Sequence, residues 1–191
     1  MADWRLLYGP LDASGTILGE LPVVAMQYQE VLNGVGRWTA TCPIDTDPAR
    51  LNIPGATGPS TPSTTDLGLI DNQTIAVART RVWFERDGVL LFAGILWTSK
   101  ADIAANTLEL AGEGIGSYWH RRTINATTTF AAVEQLDIAR QLIDTAQAAA
   151  HGDIGVDTGS GSSGVQRDRT WLHYERKTVG EAIEQLAAVD D

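Results

Sequence analysis

Apolar and polar residues alternate through most of the first 111 positions, which predicts strands, and take a helical period only around residues 131–150 and after Thr178. The pattern from Trp4 to Ile44 predicts short strands at Trp4–Tyr8, Thr16–Leu18 and Val23–Leu32, with a turn from Gly9-Pro10 to Gly15 and a reversal at Asn33-Gly34. The next run, Gly36–Ile44, places Trp38, Ala40 and Cys42 on one side and Arg37, Thr39 and Thr41 on the other, the signature of a half-exposed strand.

The strongest local signal lies in RVWFERDGVLLFAGILWT, Arg81 to Thr98. Two apolar runs flank Asp87-Gly88, and such a dipeptide suits a type I′ turn, in which both central residues take positive φ. If Arg86 faces Val89, an unbroken ladder sets Phe84 opposite Leu91 and Val82 opposite Ala93 on one face, and Trp83 opposite Phe92 on the other. Both faces are then partly apolar, so the hairpin needs a barrel, a second layer or another subunit to cover it. Trp83, Phe84, Leu91, Phe92 and Trp97 are accordingly the candidate residues for an oligomer or packing interface.

Asn106–Ala111 reads as a further antiparallel strand after a polar link at Ser99–Ala105, and Gly112–Gly116 reads as a glycine-rich turn. A helix is predicted over Ala131–Ala150 with Val133, Leu136, Ala139, Ile143 and Ala146 as its apolar stripe. A second begins at Thr178, where Thr178 and Glu181 match a capping box and Ala182, Ile183 and Leu186 continue the apolar face. Single narrow stripes suit helices that lie on a sheet, so the expected class is α+β, mainly antiparallel β with two covering helices. Between Asp45 and Gln73 the composition shifts to Pro, Gly, Ser and Thr, with Pro48, Pro54, Pro59 and Pro62 inside it, and this segment is expected to be an exposed excursion.

Composition narrows the function classes. A chain of 191 residues with 43% hydrophobic content can bury a substantial core or two small ones. The net charge of −10 opposes attraction to phosphates, so sequence-specific nucleic-acid binding is not expected; the aromatic-basic run Ser117–Arg122 reads instead as Arg stems packed over rings. No run is long and apolar enough for a membrane helix, and the N-terminus lacks a signal-peptide layout, so a soluble product made in a cytoplasm is expected. Cys42 is the one cysteine, and its place in the alternation makes it a buried thiol.

Sites of chemistry are weakly indicated. Gly159–Gly164 spells GxGxxG, but no apolar helical stripe follows, so a flexible loop is expected and no nucleotide cofactor. His120, His151 and His173 form no metal-ligand spacing, and His151 with Asp153 and Asp157 reads as a helix end with polar turns, so no metal is expected. No nucleophile elbow is present, and the carboxylate pairs Asp45/Asp47 and Glu175/Glu181 carry no sequence-fixed separation.

Four stretches together resemble minor tail proteins of long-tailed phages that infect actinobacteria, of the tail-tip or baseplate-hub type. They are LGELPVVAMQYQEVLNGVGRWTATCPI (Leu18–Ile44), VWFERDGVLLFAGILWT (Val82–Thr98), GEGIGSYWHRRTI (Gly112–Ile124) and HYERKTVGEAIEQLA (His173–Ala187). The resemblance implies a non-enzymatic structural protein with small barrel-like domains, forming a ring, typically trimeric, at the tail tip of the virion. It implies contacts with the distal tail protein, the tape-measure protein and other tail-tip proteins, no cofactor, and a lumen through which DNA passes. It places a β-rich hub domain at 1–125, with the excursion at 45–73, and at 126–191 the start of a second hub domain that is cut short. Two other readings compete: a tail-associated cell-wall hydrolase using Glu175 or the aspartates, and a carbohydrate- or receptor-binding module using Trp119 or Trp171.

Overall fold

The structure, a computed structural model, describes residues 3–32, 34–43, 75–102 and 104–188. The expected excursion at 45–73 lies outside them. The chain forms two compact units, one of Met1–Leu11 with Gly15–Ile115 and one of Asp12–Ser14 with Gly116–Asp191.

The first unit is a seven-stranded, wholly antiparallel sheet of β1 (Trp4–Pro10), β2 (Gly19–Leu21), β3 (Ala25–Gln29), β4 (Arg37–Pro43), β5 (Thr80–Arg86), β6 (Val89–Asp102) and β7 (Thr107–Gly114). Its spatial order is β2-β1-β5-β6-β7-β4-β3. Strands β2 and β3 stand at opposite edges, yet only Pro22–Val24 join them, a link that reaches at most about 14 Å. A flat seven-stranded sheet would hold those edges about 29 Å apart, so the sheet must curl into a half-barrel. Inside the curl lie Leu6, Tyr8, Leu21, Trp38, Ala40, Cys42, Val82, Phe84, Phe92, Leu96, Leu108 and Leu110. Tyr28, on edge strand β3, reaches across to Phe84 and Phe92 with ring centroids 5.1 Å away in each case, which closes the interior.

The Asp87-Gly88 turn has the expected positive φ at both residues, 51° and 82°. The unbroken register does not hold. Glu85 pairs with Leu90 but Phe84 pairs with Phe92, so Leu91 is the extra residue of a β-bulge. The bulge exchanges Leu91 for Phe92 on the inner face, where the Phe84 and Phe92 rings meet edge-on at 5.6 Å. A second bulge makes Trp97 the extra residue between the Leu96–Gly112 and Thr98–Ala111 register pairs.

Three predicted boundaries shift. Ser99–Ala105 is not a link: β6 continues to Asp102, paired with β7 as far as Thr107, before Asn106 reverses the chain at φ 52°. Gly112–Gly114 is strand rather than turn, because the Trp38 indole lies against Gly94 and Gly112, where an added Cβ would sit 2.5 Å from Nε1 in each case. The strand expected at Thr16–Leu18 forms instead at Gly19–Leu21, the residues that pair with Leu6–Tyr8, and leaves Ile17 and Leu18 exposed.

The second unit contains β8 (Thr128–Glu134), α1 (Gln135–Gln147), β9 (Gln166–Trp171) and α2 (Val179–Ala187), with short 3-10 turns at Ile115–Arg121 and His173–Glu175. Strand β8 pairs with β9 where a longer helix was expected, since Phe130 and Trp171 bury together and arginines fill the alternate β9 positions. The buried residues of α1 are Ile138 and Leu142, not the predicted stripe, whose Leu136 is exposed. Helix α2 starts as read: the Thr178 side chain accepts from Glu181 N–H, Glu181 accepts from Thr178 N–H, and Ala182 and Leu186 are buried. The molecule is thus α+β and mainly antiparallel β.

Candidate functional site

Two features of the first unit present surface suited to another chain. The first is the far end of the 14-residue strand β6. Strand β5 pairs with β6 only up to Ile95, so Thr98–Asp102 have β7 on one side and no described strand on the other. All five of these residues are exposed, and Lys100 forms a 3.9 Å ion pair with Glu109 across the ladder. The outward N–H and C=O groups of such an edge can pair with an incoming strand.

The second is the opposite end of the sheet. There the start of β1 meets the β5–β6 turn through the pairs Trp4–Arg86 and Arg86–Val89, and meets β3, which leads into the β3–β4 loop, through the Trp4 and Tyr28 rings at 6.4 Å. This end leaves Trp4, Val31, Leu32, Val89, Leu90 and Leu91 exposed, Leu32 by 91%. The Arg86 guanidinium lies 5.5 Å from the Trp4 ring centroid and 3.6 Å from Asp87, while Arg5 pairs with Glu85 at 3.1 Å, so both signs of charge border the apolar residues.

The five residues singled out in the sequence divide among three environments. Phe84 and Phe92 fill the interior of the half-barrel, at 0% and 8% exposure. Trp83 is buried on the other face, with its ring against Gly9 and the Arg81 guanidinium 5.8 Å from its centroid. Leu91 and Trp97 occupy the two bulges, exposed and half-buried respectively. Alternation alone cannot locate a bulge, so sequence reasoning missed the feature that aims both side chains.

The residues tested for chemistry serve local structure. Glu175 accepts from Leu172 N–H at 3.3 Å, and Glu181 is the α2 capping residue, held below the usual carboxylate range by its bonds from Thr178. Asp45 and Asp47 lie outside the described residues. Asp153 and Asp157 each accept the backbone N–H two residues on, at 2.9 and 2.8 Å, which makes them turn formers. Among the described residues no group of three or more His, Cys, Asp or Glu side chains could hold a metal ion, and no helix is long and apolar enough to cross a membrane. Burial pushes the Cys42 thiol up to about 11, as the alternation implied for an inert cysteine. Arg122 stacks on Tyr118 at 4.4 Å and donates to His151 O, so the aromatic-basic run is internal packing.

The GxGxxG loop is engaged by the protein itself. Glu134 accepts from Ser163 N–H at 2.6 Å and from the Ser163 hydroxyl, while its other oxygen caps α1 through Leu136 and Asp137 N–H at 2.8 and 3.0 Å. These bonds, the Ser163 hydroxyl first, hold its pKa down at about 2. A depressed carboxylate stabilises the fold fully above its ordinary value near 4.5 and loses that contribution as pH falls toward about 2. The Ser163 amide resonance should therefore titrate with a midpoint near 2; a midpoint near 4.5 would mean that Glu134 does not bind it.

No known family matches this sequence, and no curated protein sequence does. Solved structures do match its fold. The tail protein from Neisseria meningitidis MC58 superposes with a TM-score of 0.50 at 10% identity, over 96% of this chain and 44% of that one. The prophage MuSo2 43 kDa tail protein from Shewanella oneidensis gives a TM-score of 0.48 at 11% identity, over 96% of this chain and 47% of that one. The chain therefore spans less than half the length of these tail proteins, and what it has in common with the Neisseria protein is the fold.

Proposed function

We propose that this chain is a structural component of a phage tail, a hub protein that forms a ring at the tail tip and acts by assembly rather than catalysis. The observation that carries this reading is the fold likeness to a tail protein over 96% of the chain. The β6 edge, which no described strand covers, and the apolar end around Trp4 and Leu32 support it, since both are surfaces on which a further chain can seat. The ring is a homotrimer that continues the tail tube and meets the distal tail protein, the tape-measure protein and other tail-tip proteins. The net charge of −10 suits a lumen from which DNA phosphates are repelled.

Electron microscopy of the protein assembled with its tail-tube neighbours is expected to find it as a closed ring on the tube axis; density on side fibres alone would overturn the reading. A zymogram on host cell wall separates the hydrolase alternative, for which clearing lost on Glu175→Gln would be required. The carbohydrate alternative rested on Trp119 and Trp171, which are 7% and 3% exposed and so present no open face to a sugar.

A further inference from the structure

Assembly leaves the glycine-rich stretch between α1 and β9 unexplained. Asp153–Val165 has no regular secondary structure, yet it runs antiparallel to α1 and is fastened to it at successive levels. The Gln147 amide grips Val156 at both ends, accepting its N–H and donating to its carbonyl, each at 2.9 Å. Arg140, itself paired with Asp137 at 2.6 Å, donates to the carbonyls of Thr158, at 3.4 Å, and Gly161. Glu134 holds Ser163, and Gln135 N–H donates to Val165 O at 2.8 Å. Arg140 and Gln147 are seven residues apart, two helical turns, so they lie on one face and their order along α1 matches the reversed order of the loop residues.

The fastening is uneven in kind. Ile154 is 1% exposed and anchors one end by burial. Asp157–Gly164 contains no apolar side chain, and Gly159–Gly164 is exposed throughout, so this part is retained by polar bonds alone. Glycines in the left-handed region, Gly155 at φ 67° and Gly164 at φ 73°, flank it and allow the backbone to swing. Gly161 passes above the exposed side chain of Leu136.

We infer that Val156–Ser163 is a releasable strap, which lifts from α1 as a unit while the rest of the second unit stays folded. Release frees Glu134, Arg140 and Gln147, side chains already arranged to hold an extended backbone, and bares Leu136 between them. This device is independent of the hub reading, since it concerns contacts within the second unit only.

Hydrogen exchange on the full chain under native conditions tests it. The amides of Val156 and Ser163 donate to Gln147 and Glu134, so each reports strap attachment directly. They are expected to exchange at least about tenfold faster than the amide of buried Leu142 in α1, through an opening insensitive to low urea. In Arg140→Ala, Ser163 should exchange about tenfold faster again with Leu142 unchanged. Strap and Leu142 amides that exchange together, with the same urea dependence, would overturn the proposal, and so would an equal acceleration of Leu142 in the variant. The wild-type comparison decides the matter even if the variant does not fold.

Discussion

Gly112→Val is expected to destabilise the first unit by about 3 kcal/mol or more, a change at the upper end for a single substitution. A Cβ at Gly112 would sit 1.9 Å from the Ile95 carbonyl oxygen and 2.5 Å from Trp38 Nε1. Neither neighbour can move cheaply. The Ile95 carbonyl is backbone in the centre of the sheet, and Trp38 is 1% exposed with its Nε1–H donating to that same oxygen at 3.3 Å. Gly94 lies against the indole as well, so the ring is flanked by two positions that must lack a side chain. Urea unfolding followed by tryptophan fluorescence measures the effect. The control is Gly114→Ala in the same strand, where an added Cβ has nothing nearer than 3.5 Å and the loss should stay below about 1 kcal/mol. Equal losses in the two variants would mean that the Trp38 pocket does not explain Gly112.

Phe84→Ala should cost about 3–5 kcal/mol, the range for deleting a large ring from a closed interior. Phe84 is 0% exposed and touches three rings: Tyr28 at 5.1 Å, Phe92 at 5.6 Å and Trp38 at 6.0 Å between centroids. These contacts join β5 to β6, to β4 and to edge strand β3, so the ring ties the curled sheet together across its interior. A double-mutant cycle with Tyr28→Leu should return a coupling of about 0.5–1.5 kcal/mol, because the Tyr28–Phe84 contact is the one that spans the curl. A loss below about 1 kcal/mol for Phe84→Ala would mean that the half-barrel is not filled by its own side chains.

How far the sequence disclosed this fold depended on whether a signal was local. The Asp87-Gly88 turn and the Thr178/Glu181 cap each follow from a few adjacent residues, and both form as read. The alternation of Trp38, Ala40 and Cys42 likewise reports the buried face of β4. Bulges obey no such rule: nothing in VLLFAGILW marks Leu91 or Trp97 as the extra residue, because the choice is made by what fits inside the curl. Gly112 looks like a turn glycine until the Trp38 indole is in place. Strand β9 was missed because Arg167 and Arg169 stand where an apolar alternation would show, and the helical stripe of α1 was misplaced because β8 takes the residues before Gln135.

The candidate surface was legible only in part for the same reason. Two apolar faces on one hairpin correctly signalled burial on both sides, yet Phe84 and Phe92 satisfy that requirement within the unit itself. What remains outward comes largely from residues outside that candidate set, Thr98–Asp102 through a ladder that no described strand fills and Leu32 and Val89 through exposure at the far end. Such surfaces are consequences of topology: β6 has an edge because β5 is shorter than its neighbour, and the apolar end exists because two strand connections and the start of β1 lie there.

The most direct test of the central claim, that these surfaces join copies of the chain, is the mass of the purified protein in solution measured across a wide concentration range. The account predicts a species of three chains that becomes dominant as concentration rises. A single chain at every concentration would contradict it.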